Sequence, residues 1–207
     1  MIHGSDPRFP YFLPWACRVN EATRQDIGLW FVRNTSLSIL YPQHIVYVGQ
    51  FLATFAHNQG FAAVRRLDFP LFARHRPSPG RANAYVDFAK RCPWLTRLRI
   101  KFEMRYLLNL GPGRRCMTTT THRADDALLV DHHLPTLFAL DALFDLDKVV
   151  SLIIDVWPKA LARTSRGIQF VGLDCCWPAM ERLGDWIRHG FQARGRKVDV
   201  RLEASAS

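Results

Sequence analysis

One pattern recurs along this chain and limits what it can become. An apolar helical stretch is followed by a short strand in which apolar and polar side chains alternate. The strands read Ser36-Leu37-Ser38-Ile39-Leu40, Arg66-Leu67-Asp68-Phe69, Arg97-Leu98-Arg99-Ile100-Lys101-Phe102, Leu152-Ile153-Ile154-Asp155-Val156 and Val198-Asp199-Val200-Arg201-Leu202. Ile153 apart, each has the period of a half-buried strand. Helices between strands specify a parallel sheet with helical backs, and recurrence specifies a solenoid-like surface suited to contact.

Aligned on Leu37, Leu67, Leu98, Leu152 and Val198, the strands follow at steps of 30, 31, 54 and 46 residues. Leucine-rich repeats usually run about 20–29 residues, so these units are an over-long, degenerate version. The alternative is a plain α/β domain whose neighbouring units resemble each other by chance. The expected fold is α/β: a single domain of helix-strand units forming a curved, mostly parallel sheet backed by helices. It is irregular and leucine-rich-repeat-like, with one edge protected by the N-terminal helix.

The helices follow from apolar spacing. Residues 18–31 read as a helix with Val19, Ala22, Thr23 and Ile27 on one face. A second starts at Pro42, a favourable first-turn residue, with Ile45, Val48, Leu52, Phe55 and Ala56 in one stripe. A third places Tyr85, Phe88, Ala89 and Cys92 together and stops at Pro93. A fourth spans 135–146 with Leu137, Phe138, Leu140 and Phe144 inward. The last starts at Pro178, with Met180, Leu183, Ile187 and Phe191 inward. Residues 158–167 read as a basic loop and 168–173 as an additional edge strand.

The expected organisation is an N-terminal arm over 1–16, one repeat-like domain over 17–203, and a frayed tail over 204–207. Residues 109–127, with Gly111-Pro112-Gly113 and the run Thr118 to Thr121, read as an exposed insertion in that domain.

The chain has 207 residues, enough for a sizeable core, and its 48% hydrophobic and 22% charged residues are those of a globular protein. Its charge is less ordinary. Twenty-eight basic residues, 23 of them Arg, against 18 acids give a net +10, which draws a protein toward polyanions. The basic residues are spread along the chain without a continuous run, which favours solubility and codon usage as their explanation. Five cysteines without a CxxC pair fit a reducing compartment and free thiols. The N-terminus has no secretory pattern, and no apolar run approaches the roughly 20 residues of a membrane helix. The expected location is intracellular, cytoplasmic or nuclear, with no membrane association.

Two stretches carry a family resemblance. One is Cys17-Arg18-Val19-Asn20 with Arg24, Asp26, Phe31 and Asn34-Thr35 before a strand. The other is Arg91-Cys92-Pro93-Trp94-Leu95 running into Leu98-Arg99-Ile100. Together they resemble filamentous-fungal (ascomycete) F-box-like proteins, over about residues 17–157. The resemblance implies a degenerate leucine-rich-repeat-like body acting as a substrate receptor in ubiquitin ligation. The chain departs from the pattern in two places. The Leu-Pro-rich F-box-type helices are not in the sequence, and Asp26 stands where Glu is more usual. The expectation is a recognition body without the unit that recruits a cullin ubiquitin-ligase adaptor.

Within the strands, Asp68, Arg97, Arg99, Lys101, Asp155 and Asp199 alternate with core positions and share the opposite, exposed face. In solenoids that ribbon is where partners dock, and it is the candidate binding surface for a protein partner. A solvated, ion-paired face is the alternative. The aromatic arm (Phe9, Tyr11, Phe12, Trp15) is a second candidate surface. A different class of function, nucleic-acid or phosphate-ligand binding, rests on the Arg-rich loops: Arg74, Arg76 and Arg81, residues 163–166, and Arg194, Arg196 and Lys197.

Catalysis has weak support. His122, Asp125, His132 and His133 are the right ligand types for a metal but lack HExxH spacing, so surface polarity and helix capping by Asp131 are the competing readings. Cys175-Cys176 before Trp177-Pro178 sits at a helix start, where a thiol can be activated, yet no partner His is implied and a buried apolar role fits better. No G-x-S-x-G elbow or phosphate-loop motif occurs. The expectation is a non-enzymatic scaffold without a cofactor.

Overall fold

The computed structural model describes residues 8, 10, 12–78, 80–103, 134–157 and 177–205, together with the backbone of 160–164 and 167–171. The fold is α/β. Five strands form one parallel sheet: β1 (Leu37–Ser38), β2 (Arg66–Phe69), β3 (Arg97–Glu103), β4 (Ser151–Trp157) and β7 (Asp199–Ala204). A separate antiparallel hairpin, β5 (Ala160–Thr164) with β6 (Gly167–Val171), follows β4. The helices are α1 (Glu21–Asn34), α2 (Pro42–Ala53), α3 (Gln59–Ala63), α4 (Ala84–Lys90), α5 (Leu134–Leu137) and α6 (Trp177–Ala193).

Strand order in space follows strand order in the chain, β1-β2-β3-β4-β7. Right-handed crossovers taken in unbroken order place every connecting helix on the same face of a sheet. Burial agrees. Leu37, Leu67, Leu98, Leu152 and Val200, in register across all five strands, share one core with residues from every described helix, from Val32 of α1 to Phe191 of α6. Ile100, Phe102, Ile154 and Val156 continue that face, and Phe72, Tyr85, Phe102 and Phe138 pack ring on ring over it. Among the described residues, no helix lies on the opposite face. The edge strand β1 pairs over only two residues, which leaves little unpaired backbone to recruit another chain.

Several expected elements differ. The first helix begins at Glu21, where Asn20 Oδ1 accepts from Thr23 N at 2.8 Å, so Val19 lies outside it and exposed. Its buried side is Arg24, Gly28 and Val32. The expected helix over 135–146 is broken into α5 and a 3-10 segment, Leu140–Asp145, by Ala139 at φ 49°. The buried Asn83 side chain donates to Phe138 O at 2.9 Å at this break, while Phe138, Leu140 and Phe144 still point inward. The basic stretch read as a loop contains strand β5, and the following strand pairs with it instead of joining the main sheet's edge. In the arm, Phe12 packs against Phe31 and Phe51, whereas Trp15 is 79% exposed. Phe9, Tyr11, the insertion 109–127 and the end of the tail, 206–207, lie outside the described residues.

Candidate functional site

The sheet face turned away from the described helices is built in rows by the parallel register. Arg66, Arg97, Ser151 and Asp199 form the first row, and Asp68, Arg99, Ile153 and Arg201 the second. Lys101, Asp155 and Glu203 form the third, and Glu103 with Trp157 the fourth. All six strand residues named from sequence are therefore brought to this face. Asp199 stands beside Ser151, because Val200, not Val198, aligns with Leu152, and the last step is 48 residues. A slip of two residues keeps each side chain on its own face.

The face is less exposed than expected. Arg97 and Asp199 are exposed, Asp68, Arg99 and Lys101 are half-buried, and Asp155 is buried, 6% exposed. Lateral pairing accompanies this burial. Arg99 on β3 reaches Glu203 on β7 at 2.5 Å, two strands away, and must pass over β4 to do so. Ile153 of β4, 1% exposed, lies in Arg99's row. Lys101 Nζ stands 4.0 Å from Asp155 and 4.9 Å from the centre of the Trp157 ring. Ser205 donates a short hydrogen bond to Asp155, and Arg201 holds Asp199 at 2.6 Å. Glu103 is buried and bonded by Arg74 at 3.1 Å. Sequence reasoning missed Glu103, Trp157, Arg201 and Glu203. Glu103, Trp157 and Arg201 lie two residues beyond a named position and Glu203 four, so carrying the period-two pattern further would have found them.

Asp68 carries the cost of this crowding. Burial raises its pKa above the ordinary carboxylate range, against the opposing pull of Arg99. The folded state then keeps the Asp68 proton to higher pH than the unfolded chain does, so ionising it costs stability as pH rises through that window. We expect Asp68→Asn to gain on the wild type, in urea midpoint, as pH rises above about 4 and to hold that gain at neutral pH. A midpoint difference independent of pH would show that Asp68 titrates as it does in the unfolded chain.

The arginines of the alternative polyanion set do not converge. Arg74, Arg76 and Arg81 follow β2, at the C-terminal edge of the sheet, and line an open cavity of 330 Å³ with His75, Tyr85 and Pro42. Arg194, Arg196 and Lys197 precede β7, at the opposite edge, because a parallel strand separates its entry from its exit. Arg194 binds Asp145 at 3.3 Å, and Lys90 and Arg194 hold that carboxyl below its ordinary range. Arg196 donates to Val149 O at 2.9 Å and lies over the Phe191 ring. Side chains of 163–166 lie outside the described residues.

His122, Asp125, Asp131, His132 and His133 lie outside the described residues, as do Cys175 and Cys176. Among the described residues, no group of three or more His, Cys, Asp or Glu is placed to hold a metal ion. Cys17 and Cys92 are buried free thiols. Burial raises the pKa of both, that of Cys92 to about 12, so neither is a thiolate at neutral pH. Among the described residues, no helix is long and apolar enough to cross a membrane. Comparison with family models, with curated proteins and with solved structures gives no match.

Proposed function

We propose that this sheet face is a protein-recognition surface and that the chain is a non-enzymatic scaffold. One observation carries this reading. The face holds five cations, Arg66, Arg97, Arg99, Lys101 and Arg201, and five anions, Asp68, Glu103, Asp155, Asp199 and Glu203, in a chain of net charge +10. A balanced mosaic does not attract a polyanion. It selects a partner whose charges alternate in the complementary pattern, and charge complementarity contributes specificity more than raw affinity. Cross-strand ion pairs hold the mosaic in place before binding, which reduces the ordering cost of association. Trp157, half-buried beside Lys101, is the kind of aromatic residue that anchors interfaces. The resemblance to F-box-like proteins extends the proposal to the recognition body of a ubiquitin-ligase substrate receptor.

The test is photo-crosslinking from position 97 or 199, compared with the exposed helical position Glu181. We expect one protein to be captured from the face and not from α6. Arg97→Glu with Arg201→Glu should weaken that capture at least tenfold, since like charges placed opposite each other cost several kcal/mol. Equal capture from both positions, or indifference to charge reversal, would overturn the proposal.

A further inference from the structure

The edge where the strands begin, which shares Arg66, Arg97 and Asp199 with the recognition face, has a different, cation-rich character. Hydrogen bonds tie the helix-to-strand corners of all five units together. Arg66 donates to Asn34 O at 2.8 Å, and Thr96 N and Arg97 N donate to Arg65 O at 2.9 and 3.0 Å. Val150 N and Ser151 N donate to Thr96 O at 2.9 and 3.1 Å, and Asp199 N to Val150 O at 2.9 Å. The corners thus form one ledge, about 19 Å long at roughly 4.8 Å per strand.

Every corner contributes a cation. Arg33 opens the row, Arg65 and Arg66 follow, then Arg97, then Lys148, then Arg196 and Lys197. Arg33 and Arg65 are close enough that Arg33, after burial, helps to lower the Arg65 pKa. The acids in and beside these corners are Asp145, Asp147 and Asp199; Lys90 and Arg194 pair with Asp145, and Arg201 with Asp199. At the middle of the row stands Trp94, 51% exposed, with Lys148 Nζ at 5.6 Å and the Arg65 guanidinium at 6.0 Å from its ring centre. Val150, 59% exposed, is in the next corner.

We propose that this ledge binds single-stranded nucleic acid, with phosphates along the cation row and an unpaired base stacked at Trp94. A line of cations with an exposed aromatic among them is the combination that sequence-tolerant single-strand binding uses. An acidic peptide would engage the cations but gives Trp94 no π-face. A duplex keeps its bases inside the stack.

The test is fluorescence anisotropy with a labelled oligouridylate of about 20 nucleotides, a duplex of equal length and polyglutamate. With about four phosphates neutralised at a slope near −0.7 each, affinity should fall about fiftyfold from roughly 50 to 200 mM salt. Lys148→Glu with Lys197→Glu should flatten that slope by about half, and both residues are exposed, so the fold is kept. Trp94→Ala should lose about tenfold in affinity and Trp94→Phe much less. Arg76→Ala with Arg81→Ala, at the opposite edge, should leave binding unchanged. The proposal is overturned by no binding at low salt, by a slope indifferent to Lys148 and Lys197, or by duplex or polyglutamate binding as tightly as the single strand.

Discussion

Gly60→Ala is expected to destabilise the protein by about 3 kcal/mol, an overpacking cost at the upper end of the usual range. A Cβ at this position would stand 2.1 Å from Leu52 O and 2.8 Å from Leu52 C. Those are backbone atoms of α2, so no side chain can turn aside to make room. The short helix α3 runs directly against α2 at this point, and the bend between them already places His57 and Asn58 at positive φ. Separating the helices would loosen Phe51, Leu52 and Phe61 in the core. Thermal unfolding should therefore drop by roughly 10 °C. Gly184→Ala is the control. Its Cβ would sit 3.6 Å from Leu202 Cδ1, an ordinary contact, within α6. Replacing a helical glycine there should raise stability by about 0.5–1 kcal/mol. If the two substitutions moved the melting temperature equally, the close approach of α3 to α2 would be wrong.

Arg24→Ala should cost about 2–4 kcal/mol, read from urea unfolding. Arg24 is 1% exposed, and its guanidinium fills a site between helices instead of facing water. Nη1 donates to Thr54 Oγ1 at 2.8 Å and Nη2 to Thr54 O at 3.3 Å, the group lies over the Phe55 ring, and Glu21 receives two further bonds. Truncation removes the packed stem as well as the charge. Arg24→Met should recover part of the loss, because it refills the volume without the bonds. Arg24, and after it Gln25, lower the Glu21 pKa to about 2. A depressed carboxylate contributes stability above its unfolded value and loses it as pH falls through the folded value. The gap between wild type and Arg24→Ala should accordingly narrow below about pH 4. A gap that stays constant down to pH 2 would separate Glu21 from this arrangement.

Arg24 also shows where sequence reasoning stops. Spacing of apolar residues pointed the first helix's inner face at Val19, Ala22, Thr23 and Ile27, whereas the buried side is Arg24, Gly28 and Val32. A hydropathy pattern counts a charged residue as outward, whereas here the Thr54 and Glu21 partners and the Phe55 ring offset its burial. Ala139 is a second case. Leu137, Phe138, Leu140 and Phe144 have helical spacing, yet the chain breaks between them where Asn83 binds Phe138 O. Spacing constrains which side chains face inward and leaves open how the backbone brings them there.

The strands, their alternation and the two faces of the sheet were legible from residues alone, because a period of two is a local property of the chain. Helices between strands also sufficed for the parallel arrangement. Register was not legible: shifting the last strand from Val198 to Val200 leaves every apolar residue inward, so hydrophobicity cannot choose between them. Tertiary structure alone decided which charges meet. It sent Arg99 across β4 to Glu203, sent Arg74 and Arg194 to opposite edges, and gathered corner cations 30 to 50 residues apart into one ledge. Ion pairs and ledges depend on distances between segments, and those distances exist only once the core has set the strands side by side.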